Sequence, residues 1–176
     1  RRRQGRRDQR LGQAQGHLER SCAFAGQAER HPAGSQVPRP ELIQQVGGRA
    51  NEDQGQPAQA LSLFARGLAW RESTRGGPQD DGAIRIARWS VARALRSLGQ
   101  YDESLKLQQA LEIECDSAGA PDGYVFEEIA ECLHALGRAN DAAPYFARAH
   151  AALAADTWLA ANEAPRLARL AELAKG

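Results

Sequence analysis

The chain has 176 residues, 42% hydrophobic and 26% charged, with a formal net charge of +1, which suits one domain or one repeat array with a sizeable core. No window approaches the ~18 uncharged apolar residues of a membrane span, and Cys22, Cys115 and Cys132 are odd in number and form no C-x-x-C, so a disulfide scaffold is disfavoured and reduced cytoplasmic thiols are expected. Aromatics reach only 6% while Ala abounds, which argues against an all-β fold and for closely packed helices.

The first 40 residues differ from the rest. They hold nine Arg against Asp8, Glu19 and Glu29, an excess of +6, whereas 41–176 hold 14 basic and 19 acidic residues, a net −5. A basic arm thus precedes an acidic body. Only Lys106 and Lys175 are lysines, and this Arg bias, with the Ala richness, reads as a GC-rich genome. Met is absent and Arg1 comes first, so the chain reads as a fragment or processed product, and no apolar stretch follows the arginines as a secretory signal would require. Within the arm, Leu11, Ala14, Leu18, Cys22 and Ala25 form one narrow helical stripe. His31 to Ser35, followed by Pro38 and Pro40, reads as a linker. The arm is expected to be disordered or partly helical.

From Glu41 the pattern becomes helical, and no period-2 run is long enough for a strand. Helices are predicted at 41–53, 57–73, 82–98, 102–115, 122–136, 139–154 and 163–175. Pro40, Pro57 and Pro121 sit where a first turn tolerates proline; Asp80, Asp81 and Asp156 suit N-caps or first-turn acids. Gly55, Gly99 and Gly137 fall where helices would end in a left-handed residue. Short connections at 54–56, 99–101 and 137–138 force antiparallel hairpins.

These three glycines reveal a repeat. Seven residues before them stand Gly48, Ala92 and Ala130; five after stand Ala60, Ser104 and Ala142. Small residues therefore recur in pairs, one on each helix of a hairpin, as a close crossing requires. Nine after each glycine come Phe64, Gln108 and Phe146; twelve after come Gly67, Leu111 and Ala149. At the end, Asn162 is expected to start a helix whose first turn includes Pro165, and Leu167, Leu170, Ala171 and Ala174 give it an apolar stripe. That segment reads as a terminal cap, with Trp158 and Leu159 plugging the joint.

With this spacing, the segments 92–111 and 129–153 resemble tetratricopeptide repeats of a divergent, bacterial type. The second matches at Ala130, Leu133, Gly137, Ala142, Phe146 and Ala149. The first departs at Gln108, where the family has an aromatic. The glycine spacings of 44 and 38 place extra length at 74–82 and 116–123. The resemblance implies an all-α fold: a right-handed superhelical stack of antiparallel helix hairpins, a TPR-like α-solenoid with hairpins at about 41–73, 82–115 and 122–154 and a C-terminal cap at 156–175. It also implies a scaffold that binds a protein or peptide in a concave groove lined by the first helix of each hairpin. The matching positions are Gln45, Arg49 and Glu52, then Trp89, Arg93 and Arg96, then Glu127, Glu131 and His134. Trp89 is the expected anchor. The Lys/Asn set with which some members clamp a terminal carboxylate is absent.

Nothing in the sequence matches a catalytic or nucleotide-binding motif, so no enzyme activity, cofactor or metal site is expected. Cys132 and His134 point in different directions on one helix, which weighs against a metal set with Cys115. The rival reading is nucleic-acid association through Arg1 to Arg7, but no aromatics interleave those arginines for base stacking. A cytoplasmic protein with no membrane association is the expected setting.

Overall fold

The computed structural model describes residues 55–176. The arm, the helix expected at 41–53, and Gly48 and Arg49 lie outside the described residues. Among the described residues seven α-helices follow one another: α1 (Pro57–Ser73), α2 (Asp81–Ser97), α3 (Tyr101–Ser117), α4 (Gly123–Ala135), α5 (Ala139–Ala154), α6 (Thr157–Asn162) and α7 (Ala164–Leu173), with one 3₁₀ turn at Pro78–Asp80 between α1 and α2. No strand occurs among the described residues.

The turns that set the hairpins follow from backbone chemistry. Gly99 and Gly137 hold φ of 76° and 75°, a region that only glycine enters at little cost. At the first, Gln100 N–H donates to Leu95 O at 3.0 Å and Gly99 N–H to Arg96 O at 2.9 Å; at the second, Arg138 N–H donates to Leu133 O at 2.9 Å and Gly137 N–H to His134 O at 3.0 Å. These paired bonds satisfy the last carbonyls and reverse the chain in two or three residues. So α2 folds back on α3, and α4 on α5.

The small residues of the repeat that fall among the described residues are enclosed. Ala60, Ala92, Ser104, Ala130 and Ala142 are all buried, as are Phe64, Phe146 and Ala149. Ser104 Oγ donates to Ala92 O at 2.7 Å, a side chain on one helix reaching the backbone of the other, possible only at a close crossing. The helices also stack between hairpins: α1 on α2, α3 on α4, and α5 on α7. One main core runs from Trp89 and Leu105 through Ile129, Leu133 and Phe146 to Leu167 and Leu170. A smaller cluster of Ala60, Phe64 and Ala94 joins α1 to α2.

Three local expectations are corrected. Pro121 stands before α4, not in its first turn; the helix starts at Gly123 because the Asp122 carboxylate caps it, accepting from Tyr124 N–H at 2.8 Å. Glycine suits that start: a Cβ on Gly123 would sit 2.9 Å from Ala152 Cβ and from Leu153 Cγ. The cap is two helices, not one. Asp156 caps α6 by accepting from Trp158 N–H at 2.8 Å and Leu159 N–H at 3.2 Å. Asn162 therefore ends α6 instead of starting α7, and its amide donates back to Trp158 O at 2.8 Å. Asp80 does stand at the N-cap of α2, yet its carboxylate accepts from Gly76 N–H at 2.8 Å, while Asp81 takes Arg75. These bonds tie down the longer connection between α1 and α2.

Candidate partner-binding face

The expected groove residues fall on α2 and α4, at spacings of three and four that put each set on one face of its helix. On α2, Trp89 is 9% exposed and belongs to the main core. Its ring meets Tyr124 of α4 edge-on, centroids 6.4 Å apart at 86°. The Arg93 guanidinium lies 5.3 Å from the Trp89 ring centroid, a cation–π contact on the outer side. The indole Nε1 is buried with no hydrogen-bond partner.

Arg96 reaches α4 and meets Glu128, which belongs to the same acidic cluster as Glu127 and Glu131 but is not among the expected groove residues. Its Nε donates to Oε2 at 2.6 Å and its Nη2 to Oε1 at 3.1 Å. Glu128 is 7% exposed at the side chain. Burial works against the Arg96 charge, but the hydrogen bonds and charge of Glu128 outweigh it and hold the pKa above the ordinary arginine value.

Glu127 and Glu131 turn the other way, to α7. Glu127 takes Arg166 in a two-point pair, one arm at 2.9 Å, and Arg166 also donates to Glu163 at 2.8 Å. Glu131 takes Arg169, one arm at 3.1 Å. Arg166 is treated by its surroundings as Arg96 is: desolvation lowers its pKa, and Glu127 more than restores it. For Arg169 the bond to Glu131 dominates and raises the pKa. His134 is exposed, its ring edge-on to Phe146 with centroids 6.1 Å apart.

A ladder of guanidinium–carboxylate pairs thus crosses α2, α4 and α7 in turn. Its α7 members, Arg166 and Arg169, lie off the apolar stripe of Leu167, Leu170, Ala171 and Ala174 and have the same three-residue spacing as Arg93 and Arg96. The missing information was that α7 lies within reach of α4. Arg49, the remaining expected groove residue, lies outside the described residues.

A second concavity opens on the other side of α2. A cleft of about 700 Å³ is lined by the C-terminal ends of α1 and α3 and the N-terminal half of α2, including Glu72, Ile84, Arg88, Ile113 and Glu114. Arg88 spans it, bonding Glu72 at 2.9 Å and Glu114 at 2.7 Å. The bond to Glu72 leads the upward shift of its pKa. Ile113 is 67% exposed. The corresponding space between α3 and α5 is bridged instead: Glu112 accepts from Tyr145 OH at 3.0 Å and pairs with Arg148, whose guanidinium lies 3.8 Å from the Phe126 centroid.

The two thiols among the described residues serve packing. Cys132 Sγ donates to Ser104 Oγ at 3.3 Å, and Cys115 is buried; burial pushes both thiols up, Cys115 to about 11. Among the described residues no group of three or more His, Cys, Asp and Glu converges as a metal set, and no helix is long and apolar enough to cross a membrane.

No family model and no curated protein matches the sequence. Solved structures do. The chain is similar to the nearly identical TPR-like repeats of a proposed kinesin light chain from Podosopora anserina, at 19% identity and a TM-score of 0.55, with 98% of this chain and 89% of that one covered. A single-substitution variant of the same repeats gives 18% identity and the same TM-score and coverage. The fold is TPR-like. Within it α2 packs against α3 and α4 against α5, and α7 packs against α5.

Proposed function

We propose that the chain is a protein-interaction scaffold and that the α2–α4–α7 face takes a peptide segment of a partner protein. The ladder carries this reading: Arg96–Glu128, Glu127–Arg166 and Glu131–Arg169 lock α2, α4 and α7 into one preformed surface. A preformed surface binds without a large ordering cost. The TPR-like fold supports the class of function. Because the ladder charges already have partners, a peptide gains little by approaching them; shape and the two accessible side chains, Arg93 and His134, carry recognition. Trp89 acts from beneath, holding Arg93 in place through its ring. This reading needs no cofactor.

One observation favours a second docking place. The ion pairs of the α1–α2–α3 cleft are half-exposed on both partners, so opening them costs little, and Ile113 stands bare beside them. Peptides selected by display against the full chain separate the two. The best saturable binder should lose about ten-fold in affinity on Arg93→Glu, as an interface hot spot does, and bind Ile113→Asp like the parent. A binder lost only on Ile113→Asp moves the site to the cleft. If selection yields no saturable binder at all, the scaffold reading falls.

A further inference from the structure

We propose that Arg93 is a carboxylate-receiving fork, and that the partner segment on the α2–α4–α7 face carries an Asp or Glu side chain that fills it. This rests on the reading that a peptide binds that face, and it names the chemistry the peptide must bring. Arg93, Glu131 and Arg169 stand at intervals of 38 residues, the spacing of Gly99 and Gly137, one each on α2, α4 and α7. That column holds two guanidiniums and one carboxylate, and the carboxylate bonds Arg169. The other cations of the face are matched too. Arg96 has Glu128, and Arg166 has both Glu127 and Glu163. Among the described residues Arg93 is the guanidinium of this face that meets no carboxylate; it lies over the Trp89 ring, 5.3 Å from the centroid.

The way Arg93 is held suits the task. A ring contact steadies a guanidinium without using its N–H donors. Trp89 belongs to the main core and meets Tyr124 edge-on, so the support beneath Arg93 is fixed before a ligand arrives. A carboxylate matches the free edge of a guanidinium with two parallel hydrogen bonds. Charge decides between anions. A phosphate brings nearly two negative charges, whereas this place offers one unmatched positive charge, which suits a monoanion. The source follows from the donors. A chain-terminal carboxylate is captured by several donors together, and the neighbouring guanidiniums are already engaged, so a side chain fits the single fork better. Arg93 is half-buried, and no glutamate of the ladder has to leave for a carboxylate to reach it.

Random-peptide display against the full chain supplies the probe. The tightest saturable binder is synthesised with each Asp or Glu changed singly to its amide, and once with an amidated C-terminus. Each peptide is titrated against the parent, Arg93→Gln, Arg93→Lys and His134→Ala. One acid should matter: its amide form should bind the parent about ten-fold more weakly, as a charge-assisted pair implies. Arg93→Gln should bind the acid and amide forms alike. Arg93→Lys should restore only part of the difference, because lysine keeps the charge and loses the fork. A binder that weakens on His134→Ala, yet shows the same acid-to-amide loss with the parent and with Arg93→Gln, overturns the fork and leaves the face reading standing. A binder indifferent to both Arg93→Gln and His134→Ala lies elsewhere, and the face reading falls with the fork. Loss only on amidating the C-terminus, or tighter binding when phosphoserine replaces the acid, also overturns the side-chain carboxylate.

Discussion

At the scale of single residues, the most constrained positions are those where two backbones nearly touch. Gly123 is one. Alanine normally improves a helix by up to ~1 kcal/mol over glycine, but here its Cβ would meet Ala152 Cβ and Leu153 Cγ at 2.9 Å. Overpacking of this kind costs ~1–3 kcal/mol, so Gly123→Ala should lower the urea midpoint; a raised midpoint would show that α5 gives way freely. Ala130 is fully buried at the α4–α5 crossing, and Ala130→Leu should cost a similar ~1–3 kcal/mol, read the same way. The thiols give a pH signature. Burial raises the Cys115 pKa from 9.0 to about 11 and moves Cys132 in the same direction. A raised thiol pKa means that the folded state keeps a proton the unfolded chain loses, so the thiols' contribution to stability is constant below pH 9 and falls from pH 9 towards 11. Chemical denaturation across that range should show the decline, and Cys115→Ala should flatten part of it.

At the scale of helices and hairpins, the ladder pairs are not equivalent. Glu128 is 7% exposed and holds Arg96 at two points, whereas Arg169 is 52% exposed beside Glu131. Removing one partner of an enclosed pair strands the other charge and costs ~3 kcal/mol, discounted here because Arg96 keeps some solvent; an exposed pair is worth at most ~1 kcal/mol. Glu128→Gln should therefore lower the thermal midpoint clearly and Arg169→Ala barely, with calorimetry as the check. Much of this level was legible in advance. The turn glycines and the paired small residues follow from backbone geometry alone, so α1 to α5 and their pairing could be read from Gly99, Gly137, Ala92 and Ser104. The start of α4 and the break within the cap could not, because Asp122 competes with the proline signal of Pro121, and Asn162 reads as a helix start although it ends α6. Nor could the fate of the groove charges be read. Which of Glu127, Glu128 and Glu131 faces α2 and which faces α7 depends on a few tens of degrees of helix rotation. The sequence records that an acidic cluster exists but not how it is shared.

For the whole molecule, the cap decides whether the stack has a closed end. Phe146, Ala149 and Leu153 share one core with Leu159, Leu167 and Leu170. Deleting 157–176 would leave that face bare, and terminal repeats exist to prevent this. The truncated chain should lose more helicity than the missing residues account for and should bind a hydrophobic dye; a fully helical, dye-negative truncation would show that α5 can end the array unaided. The ladder has a consequence at this scale too. The sign of charge alternates along the ladder: arginine on α2, glutamate on α4, arginine on α7. Each joint is therefore keyed like a plug to a socket. Duplicating α4–α5 in tandem would bring glutamates against glutamates, and swapping the order of hairpins would do the same with arginines. The modules share one backbone plan but accept only one order, so lengthening this array would take a new hairpin of opposite charge and not a copy of an old one.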